Sequence, residues 1–275
     1  MNLARFYRVP RWYHNMGMAV IGVLAAGVSR ATLLPAAVGV LQVFLVQLHS
    51  FSMNDYYDHL FWGEDTYVGQ LLAAGRSTWT LRGLMLAPLL AAVALYPVSG
   101  VYTVLIVLYA ALFYLYQGPA RLKRHWAFSI PLNAVPLGLI VFLHPYLVTA
   151  GGLGTRGIFF GVLFTCYMAF YEVAHQVEHQ DVEDAVHSIV DAVGVERTLQ
   201  LGAVFLAVPV ATGIALALRS PLSPALAGIA AVFLVLRLHR LRTVTDYAVI
   251  RRSWHKFYAA HEGLAYVAVL ALPLV

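Results

Sequence analysis

The chain has 275 residues, of which 61% are hydrophobic and only 11% charged, with a mean hydropathy of +0.74. A soluble domain is nearer half apolar and a quarter charged, so this excess of apolar residues excludes an ordinary water-soluble fold. The net charge of +5 comes with no nucleic-acid motif and reads as loops facing an anionic leaflet, and the single cysteine, Cys166, excludes an intrachain disulfide and a cysteine metal cage.

The chain opens on a basic, aromatic segment, MNLARFYRVPRWYHN, with no small-residue cleavage site before the first apolar run. This reads as a retained cytoplasmic tail. Apolar stretches follow at 16–29, 33–53, 83–98, 101–117, 128–149, 157–177, 199–218, 221–238 and 257–275. At roughly 20 residues per span they predict a single-domain, all-α, polytopic transmembrane bundle of about nine helices. Of the 18 Lys and Arg residues, only Arg30, Arg156 and Arg219 fall on the outer side of such a scheme. The bias places the N-terminus and the loops after the second, fourth, sixth and eighth spans in the cytoplasm, and the C-terminus outside. No outer loop carries an acid. The acids gather after the second span and again at and after the sixth, four spans apart, which predicts pseudo-repeated four-helix units.

Three segments carry the polar chemistry. The first, Asn54-Asp55-Tyr56-Tyr57-Asp58, continues an apolar helix directly. Positions 54 and 58 share a helix face, with 55 beside them. Hard oxygen ligands at a membrane helix end suit Mg²⁺, which takes one or two carboxylates plus substrate phosphates. The alternative is a polar helix end in a solvated loop. The second segment, Glu172 to Asp184, has the sequence EVAHQVEHQDVED. Helical geometry brings Glu178 and Asp181 onto one stripe, with Asp184 as a flank and Glu183 facing away; a solvated helix end is again the alternative. The third runs from Tyr116 to Arg124, YQGPARLKR. Its Arg121 and Lys123 are suited to clamp a diphosphate, or to anchor a loop at the membrane face.

These motifs, in this order, resemble those of the UbiA-type intramembrane prenyltransferases over nearly the whole chain. NDYYD at 54–58 fits the family's Asn-Asp-x-x-Asp signature. YQGPARLK at 116–123 is close to its Tyr-x-x-x-Pro-x-Arg-x-Lys loop, one residue shorter before the proline. The second signature departs: no Asp-x-x-x-Asp pair occurs between 172 and 196. The resemblance implies an Mg²⁺-dependent enzyme with its active site facing the cytoplasm. Such an enzyme transfers an isoprenyl group from a prenyl diphosphate to a lipophilic acceptor, such as an aromatic quinone precursor or a lipid. Asn54, Asp55, Asp58, Glu178 and Asp181 would be catalytic and, with Asp184, would hold the metal. Tyr116, Arg121 and Lys123 would bind the diphosphate. No nucleic acid and no obligate protein partner are implied. The altered second signature leaves a terpene cyclase as the alternative. Two other classes are opposed by particular features. A membrane di-metal oxidase would need adjacent histidine pairs, which the chain lacks, and a transporter would place its charges near mid-membrane.

Overall fold

The computed structural model describes residues 1–178, 188–220, 222–244, 246–247 and 249–272. Each of the nine predicted spans coincides with a helix. They are α1 (Met16–Ala26), α2 (Leu33–Trp62), α3 (Thr78–Ala94), α4 (Thr103–Gln117), α5 (Trp126–Ala150), α6 (Thr155–Glu178), α7 (Val195–Arg219), α8 (Pro224–Thr243) and α9 (Lys256–Ala271). Among the described residues, six helical stretches are long and apolar enough to cross a membrane. One of these is a 40-residue run, Thr78–Gln117, that joins α3 and α4. The protein is thus an integral membrane protein. Several predicted bounds shift, α3 to Thr78–Ala94 and α8 to Pro224–Thr243 among them. α1 spans only 11 residues, and α2 runs on through the NDYYD motif as one helix of 30 residues.

α6 is the interior helix. Two thirds of its most apolar window (67%) is buried, against 22% for α7 and for α8, so those two present most of their apolar surface outward, where lipid would cover it. Phe159, Phe160, Phe164 and Phe170 of α6 pack with Phe142 of α5 and Tyr266 of α9 in the largest apolar cluster. Pro136 lacks an amide proton and so interrupts the helical ladder of α5. The residues around it, Val135–Ile140, form a π-helical turn. Gly138 in that turn allows the closest approach to α6. A Cβ there would sit within contact distance of the Phe164 carbonyl oxygen and 2.8 Å from its carbon. Gly138→Ala is therefore expected to destabilise the protein by about 1–3 kcal/mol, measured as a lowered melting temperature in detergent; an unchanged melting temperature would show that the seam can spread at no cost.

Two polar clusters inside the bundle are tied to their neighbours, as burial favours. Gln42 of α2 donates through Nε2 to the Ala92 carbonyl at 2.8 Å and to Ser99 Oγ at 3.0 Å. Its Oε1 lies 2.9 Å from His144 Nε2 of α5. Arg237, a basic residue at the cytoplasmic end of the predicted span 221–238, lies on α8 and is fully buried. Its Nη1 donates to Glu262 Oε2 of α9 at 2.7 Å and to Tyr167 Oη at 3.1 Å. Tyr167 and Tyr266 both donate to Glu262 Oε1, at 2.6 and 3.0 Å. This network locks α6, α8 and α9 together.

Candidate active site

The end of α2 is built to present carboxylates inside the bundle. Gly63 adopts a left-handed conformation (φ 65°) and its amide closes back onto the Asp58 and His59 carbonyls, a glycine stop that ends the helix one turn after the motif. The chain then turns into the short helix Tyr67–Ala73, whose cap Thr66 donates its hydroxyl to the Asp55 carbonyl at 3.0 Å. Asp55 and Asp58 are only 4% and 5% exposed, so the solvated helix end considered above is not what forms.

Two buried carboxylates one turn apart repel unless compensated. Compensation comes from two distant segments. Arg8 Nη1 lies 2.8 Å from Asp55 Oδ1 and 3.7 Å from Asp58 Oδ2. Lys123 Nζ donates to Asp58 Oδ1 at 2.5 Å, and Asn54 Nδ2 donates to the other oxygen of Asp58. Two negative charges thus meet two positive ones. Among the described residues, the non-glycine residues with positive φ are Arg8 (51°) and Arg121 (50°). That conformation is uncommon for a side-chain-bearing residue. It occurs here in the two basic segments flanking the carboxylates.

The rest of the basic loop turns to aromatic faces. The Arg121 guanidinium lies 4.1 Å from the Phe61 ring centroid and Arg124 lies 4.2 Å from that of Trp62, within cation–π range. Of the two cations predicted to clamp a diphosphate, Lys123 reaches the carboxylates and Arg121 rests on Phe61. Tyr116 is buried against Phe113.

The second acidic segment meets the same end of the bundle. The basic loop leads into α5, whose Ser129 accepts a hydrogen bond from Gln176 of α6 at 2.6 Å. Glu178, the last residue of α6, forms an ion pair with Arg251 Nε at 2.8 Å. Arg251 is set by a second π-helical turn, Ile250–His255. Asp181, Glu183 and Asp184 lie outside the described residues. Among the described residues no three His, Cys, Asp or Glu side chains gather as a metal cage. The two carboxylates and the amide of α2 nevertheless have the chemistry Mg²⁺ selects, because that ion leaves most of its positions to water and substrate phosphate.

Sequence reading missed Arg8, Arg251 and Glu172. Nothing local to Arg8 or Arg251 marks their partners, which lie 47 and 73 residues away in the chain. Glu172 did carry a signal. It sits inside the apolar run 157–177, where a carboxylate is costly enough to call for a purpose; it is 3% exposed.

A helical membrane bundle with an acid–base site buried at one end of its second helix is a recognisable class. No protein-family model matches the chain, and no curated protein matches it. Solved structures do. A digeranylgeranylglyceryl phosphate synthase superposes with a TM-score of 0.78 at 14% identity, covering 98% of this chain and 97% of that one. A UbiA homolog from Archaeoglobus fulgidus bound to DMAPP and Mg²⁺ gives 0.70 at 16% identity over 99% and 100%. The same homolog bound to GPP and Mg²⁺ gives 0.68 at 17% over 98% and 99%. The described residues have the UbiA-type fold.

Proposed function

We propose that this protein is an intramembrane prenyltransferase that moves an isoprenyl group from a prenyl diphosphate to a lipophilic acceptor. The observation that carries the reading is the buried pair Asp55 and Asp58, held between Arg8 and Lys123. Such a site balances its own charge. A divalent cation alone would leave it strongly positive and a diphosphate alone strongly negative, whereas the two together nearly cancel. The neighbours bound to DMAPP or GPP with Mg²⁺ support the same pairing.

In this reading Asn54, Asp55 and Asp58 hold one Mg²⁺, and Glu178 with Asp181 and Asp184 a second. When bound, the metal supplies positive charge that stabilises the leaving diphosphate. Arg8 and Lys123, released from the carboxylates, bind diphosphate oxygens, and Arg251 does the same at the second segment. Tyr116 borders the diphosphate and Arg121 holds the loop in place through Phe61. The excess of basic residues at this end supports a site opening to the cytoplasm.

The two loop cations separate the roles. Lys123→Gln is expected to weaken prenyl diphosphate binding by about 10-fold or more, the worth of a hydrogen bond to a charged group. Arg121→Gln is expected to cost less. Neither change is expected to alter acceptor binding. Isothermal titration in detergent reads all of these. Equal losses for diphosphate and acceptor would assign the loop a structural role instead.

A further inference from the structure

A second polar pocket lies on the far side of α2. At about 100° per residue, Met53, Tyr56 and Tyr57 occupy the face of α2 opposite Asn54, Asp55 and Asp58. With Arg82 and Leu86 of α3 and Tyr114 of α4 they line a cavity of about 360 Å³. Arg82, Leu86 and Tyr114 are exposed, so the cavity opens outward from the bundle, away from the carboxylates. Arg82 stands near the start of α3, one turn after the exposed Trp79, at the end of the bundle that holds the NDYYD motif. An exposed tryptophan beside an arginine at a membrane helix end marks the headgroup layer of the bilayer.

Arg82 is held in place without a carboxylate. Its Nη2 donates to Tyr56 Oη at 2.9 Å. Its guanidinium carbon lies 5.5 Å from the Tyr56 ring centroid and 5.7 Å from that of Trp79. Among the described residues, the ion pairs to carboxylates are made by Arg8, Lys123, Arg237 and Arg251. Arg82 has a phenol hydroxyl where those four have an acid. A guanidinium fixed in this way keeps donors for the paired oxygens of a phosphate. Beyond the cavity the surface is apolar. Leu90, one turn after Leu86, and Val107, two turns before Tyr114, are both exposed. Because α4 returns antiparallel to α3, both residues lie deeper in the bilayer than the pocket.

We propose that this groove binds an anionic phospholipid, separately from the reaction site, with the lipid phosphate on Arg82 and the acyl chains over Leu86 and Leu90. A free phosphate would leave the apolar run unused. A zwitterionic lipid would bring its ammonium group to a pocket with no carboxylate among its lining residues. The lipid is bound and released unchanged. It braces Tyr56, which stands in the chain between Asp55 and Asp58, and so steadies the end of α2 that carries both acids.

Native mass spectrometry of the purified, delipidated protein in detergent tests this, with phosphatidylglycerol, phosphatidylcholine of the same chains, or glycerol phosphate added. Wild-type protein is expected to retain phosphatidylglycerol at concentrations where neither of the others stays bound, and to melt at a higher temperature in its presence. Arg82→Ala is expected to weaken that retention about 10-fold, the worth of a hydrogen bond to a charged group, and to lose the thermal shift. Leu86→Trp, which puts an indole into the cavity and keeps the cation, is expected to do the same. Arg242→Ala, which removes an exposed cation of α8, is expected to change neither readout. Equal retention of phosphatidylcholine, equally strong binding of glycerol phosphate, or an equal loss in Arg242→Ala would overturn the proposal. So would displacement of phosphatidylglycerol by geranyl diphosphate, which would make the groove part of the substrate site.

Discussion

Asp58→Asn is expected to cut diphosphate release by at least about 100-fold, the scale on which one electrostatic contact to a developing charge acts, while the protein still folds and inserts. Asp58 is the residue on which three partners converge: Asn54, Lys123 and, at longer range, Arg8. The amide keeps the size and one oxygen of the carboxylate and removes its charge. Folding survives because Lys123 retains 21% side-chain exposure and can regain water, and because Arg8 keeps its shorter contact to Asp55. Diphosphate-release kinetics on the purified variant, with gel filtration as the folding check, give the answer. Release at the wild-type rate would remove Asp58 from the site.

The largest effect on stability belongs to Arg237. Arg237→Met is expected to destabilise the protein by about 3–5 kcal/mol, because it leaves the Glu262 charge buried without its cation. Both side chains are essentially inaccessible, at 0% and 1%, so no water replaces the lost partner. Joint replacement, Arg237→Met with Glu262→Leu, removes both charges and is expected to regain much of the loss. Tyr167 and Tyr266 would still lack the oxygen they now share, so recovery stops short of wild type. Thermal melting of the two variants decides it. An Arg237→Met protein that melts like wild type would mean that Glu262 is not held as an anion by this network.

These two sites differ in how much of them a sequence can reveal. Asn54, Asp55 and Asp58 are legible because all three lie within five residues of one helix, so helical periodicity alone brings them together. Hydropathy likewise marks the nine longer apolar helices α1–α9 among the described residues. What is not legible is pairing at a distance. Arg8 reads as one more positive-inside residue, and only the folded chain brings it to Asp55. Arg237 stands at the end of the apolar run 221–238 with three further basic residues just after it at 239–242, which reads as the start of a cytoplasmic loop; helix α8 in fact runs on to Thr243 and 237 is buried. The second acidic segment shows the opposite difficulty. Helical spacing grouped Glu178 with Asp181, but the described part of α6 ends at Glu178, where the partner is Arg251, a residue delivered by a π-helical turn that no simple periodicity announces.

The central claim is that the charge-balanced pair Asp55 and Asp58 serves to bind a prenyl diphosphate together with Mg²⁺. Equilibrium binding of geranyl diphosphate to the wild-type protein in detergent, with Mg²⁺ and with EDTA, tests it most directly. The account predicts saturable binding that needs Mg²⁺ and is weakened at least about tenfold by EDTA, in line with the loss of a charge-assisted contact, and correspondingly weak binding of Mg²⁺ when no diphosphate is present. Diphosphate binding of equal strength in EDTA, or no binding by dimethylallyl, geranyl and longer prenyl diphosphates, would contradict it.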